Sequence, residues 1–325
     1  MQTAKHQRNE RVPFSARDSL YVVLTAAFNE EEFIEETIKS VLAQVVPPSF
    51  WVIVSDGSTD RTDEIVQRYA MRYPFILFVR RNRDHNRGFA SKVVALRTGL
   101  QCLELKRTRF IAHLDADVSL SPCYFRDLLR KFEEDPTLGI AGGWYAEKVG
   151  SEFRPALGSS LASVPGCTQM FRRECYEDIG GLLPIEYGGE DWYAELMARK
   201  CGWRVRSFSE LRVHHLRRIG TASNALRYCY HQGLADFSLG SHPLFEVAKV
   251  ARRITWQPYV LGALARLLGF LIGHIGGKRM VPPDFVSFLR REQVSRLWPD
   301  PFLMTRDQKD CPKSPAPRWT KARTL

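Results

Sequence analysis

After a polar leader over residues 1–18, short uninterrupted apolar runs alternate with longer stretches of helical periodicity. Residues 21–25 (YVVLT), 51–55 (WVIVS), 75–79 (FILFV) and 109–114 (RFIAHL) have the length of strands and are rich in β-branched and aromatic side chains. Between the first two, residues 31–44 carry Ile34, Ile38 and Val41 at helical spacing, continued by Val45. Residues 60–69 and 91–104 read as two more helices. Apolar strands separated by amphipathic helices predict right-handed βαβ units, hence an α/β fold with a mostly parallel, twisted sheet flanked by helices.

The second half of the chain is less regular. Ser121-Pro122 reads as an N-cap followed by proline at the first helical position, opening a helix to about residue 135. A strand is expected at 139–145, a short helix at 173–179 ended by Gly180-Gly181, and a longer helix at 190–200 closing near Gly202. Strands near 203–208 and 211–214 complete a body over residues 19–221. Residues 222–300 read as a helical, basic extension containing the most apolar stretch of the chain, 258–275. Residues 301–325 read as a basic flexible tail.

Hydrophobic residues at 44% and charged residues at 26% exclude a disordered or fibrous chain. Seven cysteines, an odd number with no CxxC pair, argue for a reducing compartment and against a disulfide scaffold or zinc cluster. The leader has no apolar run, so no signal peptide is expected there. Charge is distributed unevenly. Residues 251–325 hold 14 of the 47 Lys/Arg and only 5 of the 36 Asp/Glu, so this quarter carries nine of the eleven net positive charges. Such a segment fits nucleic acid or an anionic membrane surface, but no nucleic-acid recognition motif or aromatic platform accompanies it.

In a parallel sheet, ligands gather where the carboxyl ends of the strands meet their loops. Here those ends are acidic. The first strand runs into Asn29-Glu30-Glu31, the second into Asp56-Gly57-Ser58-Thr59-Asp60, and the fourth into Asp115-Ala116-Asp117. Each alone is compatible with a turn or a helix start. Three on one rim repel one another unless a cation or ligand compensates. A D-x-D after a strand offers hard oxygen ligands suited to Mg²⁺ or Mn²⁺. The chain has neither GxxxxGK[ST] nor GxGxxG, so a phosphate-bearing ligand must be held by metal and basic side chains, which residues 80–92 (RRNRDHNRGFASK) supply.

Taken together and in order, AAFNEEEFIEETIKSVLAQ, VSDGSTDRT, NRGFASKVVALRTGL, HLDADVSLSP, CTQMFRRECYEDIGGL and GGEDWYAELMARKCGW resemble the family-2 glycosyltransferases. The resemblance spans roughly residues 20–215 and implies the GT-A nucleotide-diphospho-sugar transferase fold. It further implies that Asn29, Glu30 and Asp56 hold the nucleoside end of the donor, with Arg87 and Lys92 near the nucleotide or its diphosphate. Asp115 and Asp117 would meet the ribose and a Mn²⁺ or Mg²⁺ ion, with His214 or His215 completing the metal site. Asp191 in Gly-Glu-Asp-Trp would be the catalytic base, and Glu190 would orient acceptor or donor. The implied activity is inverting transfer of one sugar from a nucleotide-diphosphate donor, UDP foremost, to a saccharide or a polyprenyl-linked acceptor. The Q-x-x-R-W motif of processive synthases is absent, which favours single addition over polymerisation. Alternatives compatible with the same residues are a soluble transferase acting on a small molecule or protein, and a non-catalytic nucleotide-sugar binder.

Within 258–275, Leu264, Leu267, Leu268, Leu271 and Ile275 share one helical face, while Gly262, Arg266, Gly269 and Gly273 lie opposite. Arg252-Arg253 and Lys278-Arg279 bracket the stretch. A bulky apolar ridge between basic clusters predicts a helix lying against anionic lipid, with its glycine-and-arginine face on protein or headgroups. This implies a cytoplasmic enzyme, peripheral or monotopic on the inner face of the cell membrane.

Overall fold

Strand β1 (Tyr21–Ala27) is buried along nearly its whole length, and its side chains alternate between two apolar layers. Tyr21 and Val23 enter one core, Val22 and Leu24 the other, as the period-two geometry of a strand dictates. A computed structural model describes residues 20–82, 90–149, 152–155, 160–217 and 225–297. The leader, the tail and Arg87 lie outside the described residues.

Helix α1 (Ile34–Leu42), strand β2 (Phe50–Asp56), helix α2 (Thr62–Arg72), strand β3 (Ile76–Arg81), helix α3 (Ala90–Gln101) and strand β4 (Phe110–Leu114) follow in alternation. The four strands pair in the order β3-β2-β1-β4, all parallel. Ile34, Ile38 and Val41 of α1 and Ile65 and Val66 of α2 cover one face, and Val93, Leu96 and Leu100 of α3 cover the other.

The later elements are β5 (Val118–Leu120), α4 (Tyr124–Glu134), β6 (Leu138–Val149), β7 (Glu152–Pro155), β8 (Thr168–Arg172), α5 (Arg173–Asp178), α6 (Glu190–Lys200) and β9 (Arg204–His215). They extend the sheet as β4-β8-β6-β9-β5, with β7 on β6. Strand β8 is antiparallel to both β4 and β6, β9 is parallel to β6, and β5 is antiparallel to β9. A parallel half is thus continued by strands of mixed direction. Helix α4 begins at Tyr124, two residues beyond Pro122. The Ser121 carbonyl accepts the Tyr124 N–H and the Gln44 amide instead, which makes Ser121-Pro122 a turn and not a cap. The two strands expected at 203–208 and 211–214 are one strand. Its pairing with β6 jumps from Gly143–Phe208 to Trp144–Arg212, so residues 209–211 form a bulge.

Four helices follow: α7 (Ala225–Ser238), α8 (Pro243–Arg253), α9 (Tyr259–Gly276) and α10 (Pro283–Leu297). Helices α7 and α9 cross in backbone contact. A Cβ on Gly269 would lie 2.1 Å from the Tyr230 carbonyl oxygen, and one on Gly233 would lie 1.9 Å from that of Arg266, so no larger residue fits at either place. Arg266, 4% exposed in the middle of the apolar helix, pairs with Asp236 of α7 and, at 3.0 Å, with Glu246 of α8. Lys249 closes the cluster at 2.8 Å from Asp236 and 3.1 Å from Glu246. Removing one partner of such a buried network costs about 3–5 kcal/mol. The opposite face of α9 is open: Leu264, Leu268 and Leu271 are just over half exposed and Ile275 is 84% exposed. By length and composition alone, with a mean hydropathy of 1.6, α9 could cross a membrane. Helix α10 returns to the body, where Phe285, Val286 and Leu289 pack with Tyr193 and Leu196 of α6.

Candidate active site

The rim is built first from two laced loops. Asn29 sits at φ 55, in the left-handed region that asparagine tolerates. Its amide oxygen accepts the Thr59 N–H at 2.8 Å. The Glu30 N–H donates to Thr62 Oγ1 at 2.8 Å and the Glu31 N–H to Asp60 at 3.0 Å. The loops after β1 and β2 therefore hold each other through the polar groups that made them stand out in the sequence. Asp56, 4% exposed at the end of β2, accepts hydrogen bonds from Arg81 and from Ser91 at the start of α3.

Beyond β4, Asp115 and Asp117 meet His215 from the end of β9, with possible ligand atoms all within 4.8 Å of one another. Strand β5 makes this possible by pairing Val118 directly with His215. The Nδ1 of His215 is 2.6 Å from the Arg217 carbonyl, so Nδ1 carries the proton and Nε2 is left facing Asp117, at 3.7 Å. Two carboxylates and an oriented imidazole are a donor set that fits Mn²⁺ or Mg²⁺. His214, the neighbouring candidate, points to the other side of the strand, where its ring stacks on Phe153 at 4.2 Å. The structure brings His215, and not His214, to the two aspartates. Burial, then the nearby Asp115, raises the Asp117 carboxyl above the usual carboxylate range. Burial, then Asp117, pushes Glu30 up to about 8.

Two cations answer this charge. Lys92 of α3 lies 2.6 Å from Asp115. Burial opposes its charge, but Asp115, and then Glu190 and Asp191, raise its pKa. Lys92 thereby links the D-x-D to the start of α6. Arg217 donates to Glu30 at 2.5 Å and lies 3.7 Å from Asp117. At the start of α6, burial and the adjacent Asp191 push Glu190 up to about 7. Asp191 accepts the Trp192 N–H at 2.8 Å and abuts the loop before β8, where a Cβ on Gly166 would lie 2.5 Å from Asp191 Oδ2. Glu195, one turn further along α6, anchors that loop by accepting the Val164 N–H at 2.7 Å and the Ser163 hydroxyl at 3.1 Å.

Residues 22–180 match the family model described as glycosyl transferase family 2. This segment belongs to glycosyl transferase family 2. Among curated relatives it is 26% identical over 226 residues to the poly-beta-1,6-N-acetyl-D-glucosamine synthase of Staphylococcus epidermidis, covering 63% of this chain and 48% of that one. A Staphylococcus aureus synthase of the same name is 28% identical over 178 residues, 48% of this chain and 40% of the other. The chain thus spans about half the length of the curated relatives it matches. Two solved structures share the GT-A fold. The mannosyltransferase PcManGT from Pyrobaculum calidifontis, in complex with GDP-Man and Mn²⁺, aligns with a TM-score of 0.54 at 17% identity, covering 87% of this chain and 88% of that one. Staphylococcus aureus TarS 1–349 in complex with UDP-GlcNAc aligns with a TM-score of 0.51 at 18% identity, covering 84% and 82%.

The structure gathers Asn29, Glu30, Lys92, Asp115, Asp117, Glu190, Asp191 and His215 around one rim, with Asp56 buried at the end of β2 against Arg81 and Ser91. Sequence reasoning missed Arg217 and Gly166. Arg217 carried a usable signal, being a cation two residues past a strand-end histidine at the acidic rim. Gly166 carried none, because only the folded chain brings it to Asp191.

Proposed function

We propose that the protein is a metal-dependent, inverting glycosyltransferase that moves one sugar from a nucleotide-diphosphate donor, UDP foremost, to a saccharide or polyprenyl-linked acceptor. The observation that carries this reading is the convergence of the Asp115–Asp117–His215 group with Glu190 and Asp191, joined through Lys92. The nucleoside end of the donor lies on the loops after β1 and β2, against Asn29, Glu30 and Asp56. Asp115, Asp117 and His215 would hold Mn²⁺ or Mg²⁺, which supplies Lewis-acid stabilisation of the leaving diphosphate.

The remaining work falls to the chain. Asp191 takes the proton from the acceptor hydroxyl as its oxygen bonds to the anomeric carbon, and the bond from that carbon to the diphosphate breaks on the opposite face. A single displacement of this kind inverts the configuration and needs no enzyme nucleophile. Glu190, held close to neutrality by burial, can share a hydrogen with the acceptor or donor sugar and orient it. Lys92 keeps a positive charge between the diphosphate side and the base.

The exposed ridge of α9, bracketed by Arg252, Lys278 and Arg279, supports seating on the anionic inner face of the cell membrane. Arg266 is buried against α7 and α8, so the helix lies along the surface of the protein and its open face is available to lipid. The curated relatives are synthases of an N-acetylglucosamine polymer and TarS was solved with UDP-GlcNAc, which supports UDP as the first nucleotide to test.

The test is Asp191→Asn. The variant is expected to bind UDP and Mn²⁺ as the wild type does and to lose at least about 10²-fold in transfer, the lower end of what a general base contributes. Transfer at the wild-type rate would remove Asp191 as the base.

A further inference from the structure

Arg217 occupies a position that the reaction outlined above does not use. Its guanidinium donates to Glu30 at 2.5 Å, its Nε lies 3.7 Å from Asp117, and its plane rests over the Phe33 ring, 5.0 Å from the centroid. Its carbonyl holds His215 Nδ1. One residue therefore orients one prospective metal ligand through its backbone and faces another with a full positive charge. Its side chain is 32% exposed, so it is neither sealed in the core nor free in solvent.

The charges at this place compete. A divalent cation among Asp115, Asp117 and His215 would share the Asp117 carboxylate with the guanidinium, and two cations on one carboxylate repel. A diphosphate reverses the balance, because its oxygens give the planar fork of an arginine a better partner than a carboxylate that the metal has claimed. Lys92 stands differently, since its contact is with Asp115 and its surroundings include Glu190 and Asp191.

We propose that Arg217 is a resident counter-cation that opposes metal binding by the protein alone and passes from Asp117 and Glu30 to the diphosphate when metal and nucleotide arrive together. The inference rests on the metal and nucleotide reading above and adds a binding order to it: metal and diphosphate bind cooperatively because each relieves the cost of the other, and the coupling is reciprocal. Arg217 is a positioning residue for the diphosphate and a competitor for the metal.

Equilibrium binding of Mn²⁺ to the full chain, followed by the electron paramagnetic resonance of the free ion with and without UDP, tests it. The wild type should bind Mn²⁺ weakly alone and at least about tenfold more tightly with UDP, a coupling within the usual range. Arg217→Gln should bind Mn²⁺ alone about tenfold more tightly than the wild type and lose most of the tightening by UDP. Arg217→Lys keeps the charge without the fork. It should match the wild type with Mn²⁺ alone and show a smaller tightening by UDP, so it tests the second half of the proposal even if the glutamine variant does not fold. Folded Arg217→Gln that binds Mn²⁺ no more tightly than the wild type would overturn the proposal, as would Arg217→Lys with undiminished UDP coupling. A wild type that binds neither Mn²⁺ nor UDP would overturn the nucleotide-sugar reading along with it.

Discussion

Gly166→Ala tests whether the base depends on a close backbone approach. The Cβ it introduces would stand 2.5 Å from Asp191 Oδ2, 3.0 Å from Cγ and 3.1 Å from Cβ. Ordinary contact begins near 3.4 Å, so the carboxylate must retreat by about 0.5–1 Å. It cannot do so freely. Asp191 Oδ1 holds its own helix through the Trp192 N–H at 2.8 Å, and Glu195 pins the opposing loop at Val164. A base displaced by about 1 Å costs on the order of 10²-fold in rate, while overpacking a tight site costs about 1–3 kcal/mol of stability. The assay is turnover of a donor and acceptor pair alongside UDP affinity and a urea melt. Transfer should fall by about 10²-fold with UDP affinity unchanged, because the nucleoside loops lie elsewhere on the rim. Gly276→Ala, whose Cβ would meet nothing within 4 Å, should leave turnover and UDP affinity unchanged and should not lower stability. Wild-type turnover in folded Gly166→Ala would refute the argument.

Glu190→Gln should change the pH dependence of stability. The Glu190 carboxyl is raised to about 7, by burial first and then by Asp191, so between about pH 4.5 and 7 the unfolded chain releases a proton that the folded chain keeps. Stability therefore falls as pH rises through that window, and Glu30 and Glu195, both raised to about 8, act in the same direction. The variant should equal the wild type near pH 4 and exceed it at pH 8 by up to about 3 kcal/mol in chemical denaturation; an equal loss at both values would contradict the assignment. Leu264→Asp with Leu268→Asp, both on the open face of α9, should weaken cosedimentation with anionic vesicles at least about tenfold and leave UDP affinity alone, since each loses apolar burial and adds like charge to the lipid. Unchanged vesicle binding would detach the helix from the membrane reading.

β1, β2 and β4 were legible because each is buried on both faces and therefore written as an unbroken apolar run, and β3, a half-buried edge strand, still opens with the apolar residues 76–79. β8 was not, since Thr168-Gln169 open it with polar side chains whose burial depends on insertion between β4 and β6. β5 is three residues long and reads as part of a turn, yet it is what carries His215 to Asp117. The bulge at 209–211 made one strand look like two. At the site, the carboxylates showed themselves by lying at strand ends. The choice between His214 and His215 needed the register of β5 and β9, and no local pattern encodes a register across almost a hundred residues. The sequence sets Arg266 on the glycine face of α9 but does not name its partners, because Asp236 and Glu246 come from two other helices.

The most direct test of the central claim is a calorimetric titration of the protein with UDP in the presence and absence of Mn²⁺. UDP binding should depend on the metal and be lost in Asp115→Asn and Asp117→Asn. Metal-independent binding would contradict the role given to Asp115, Asp117 and His215, and a folded protein that binds no UDP with either metal condition would contradict UDP as its nucleotide.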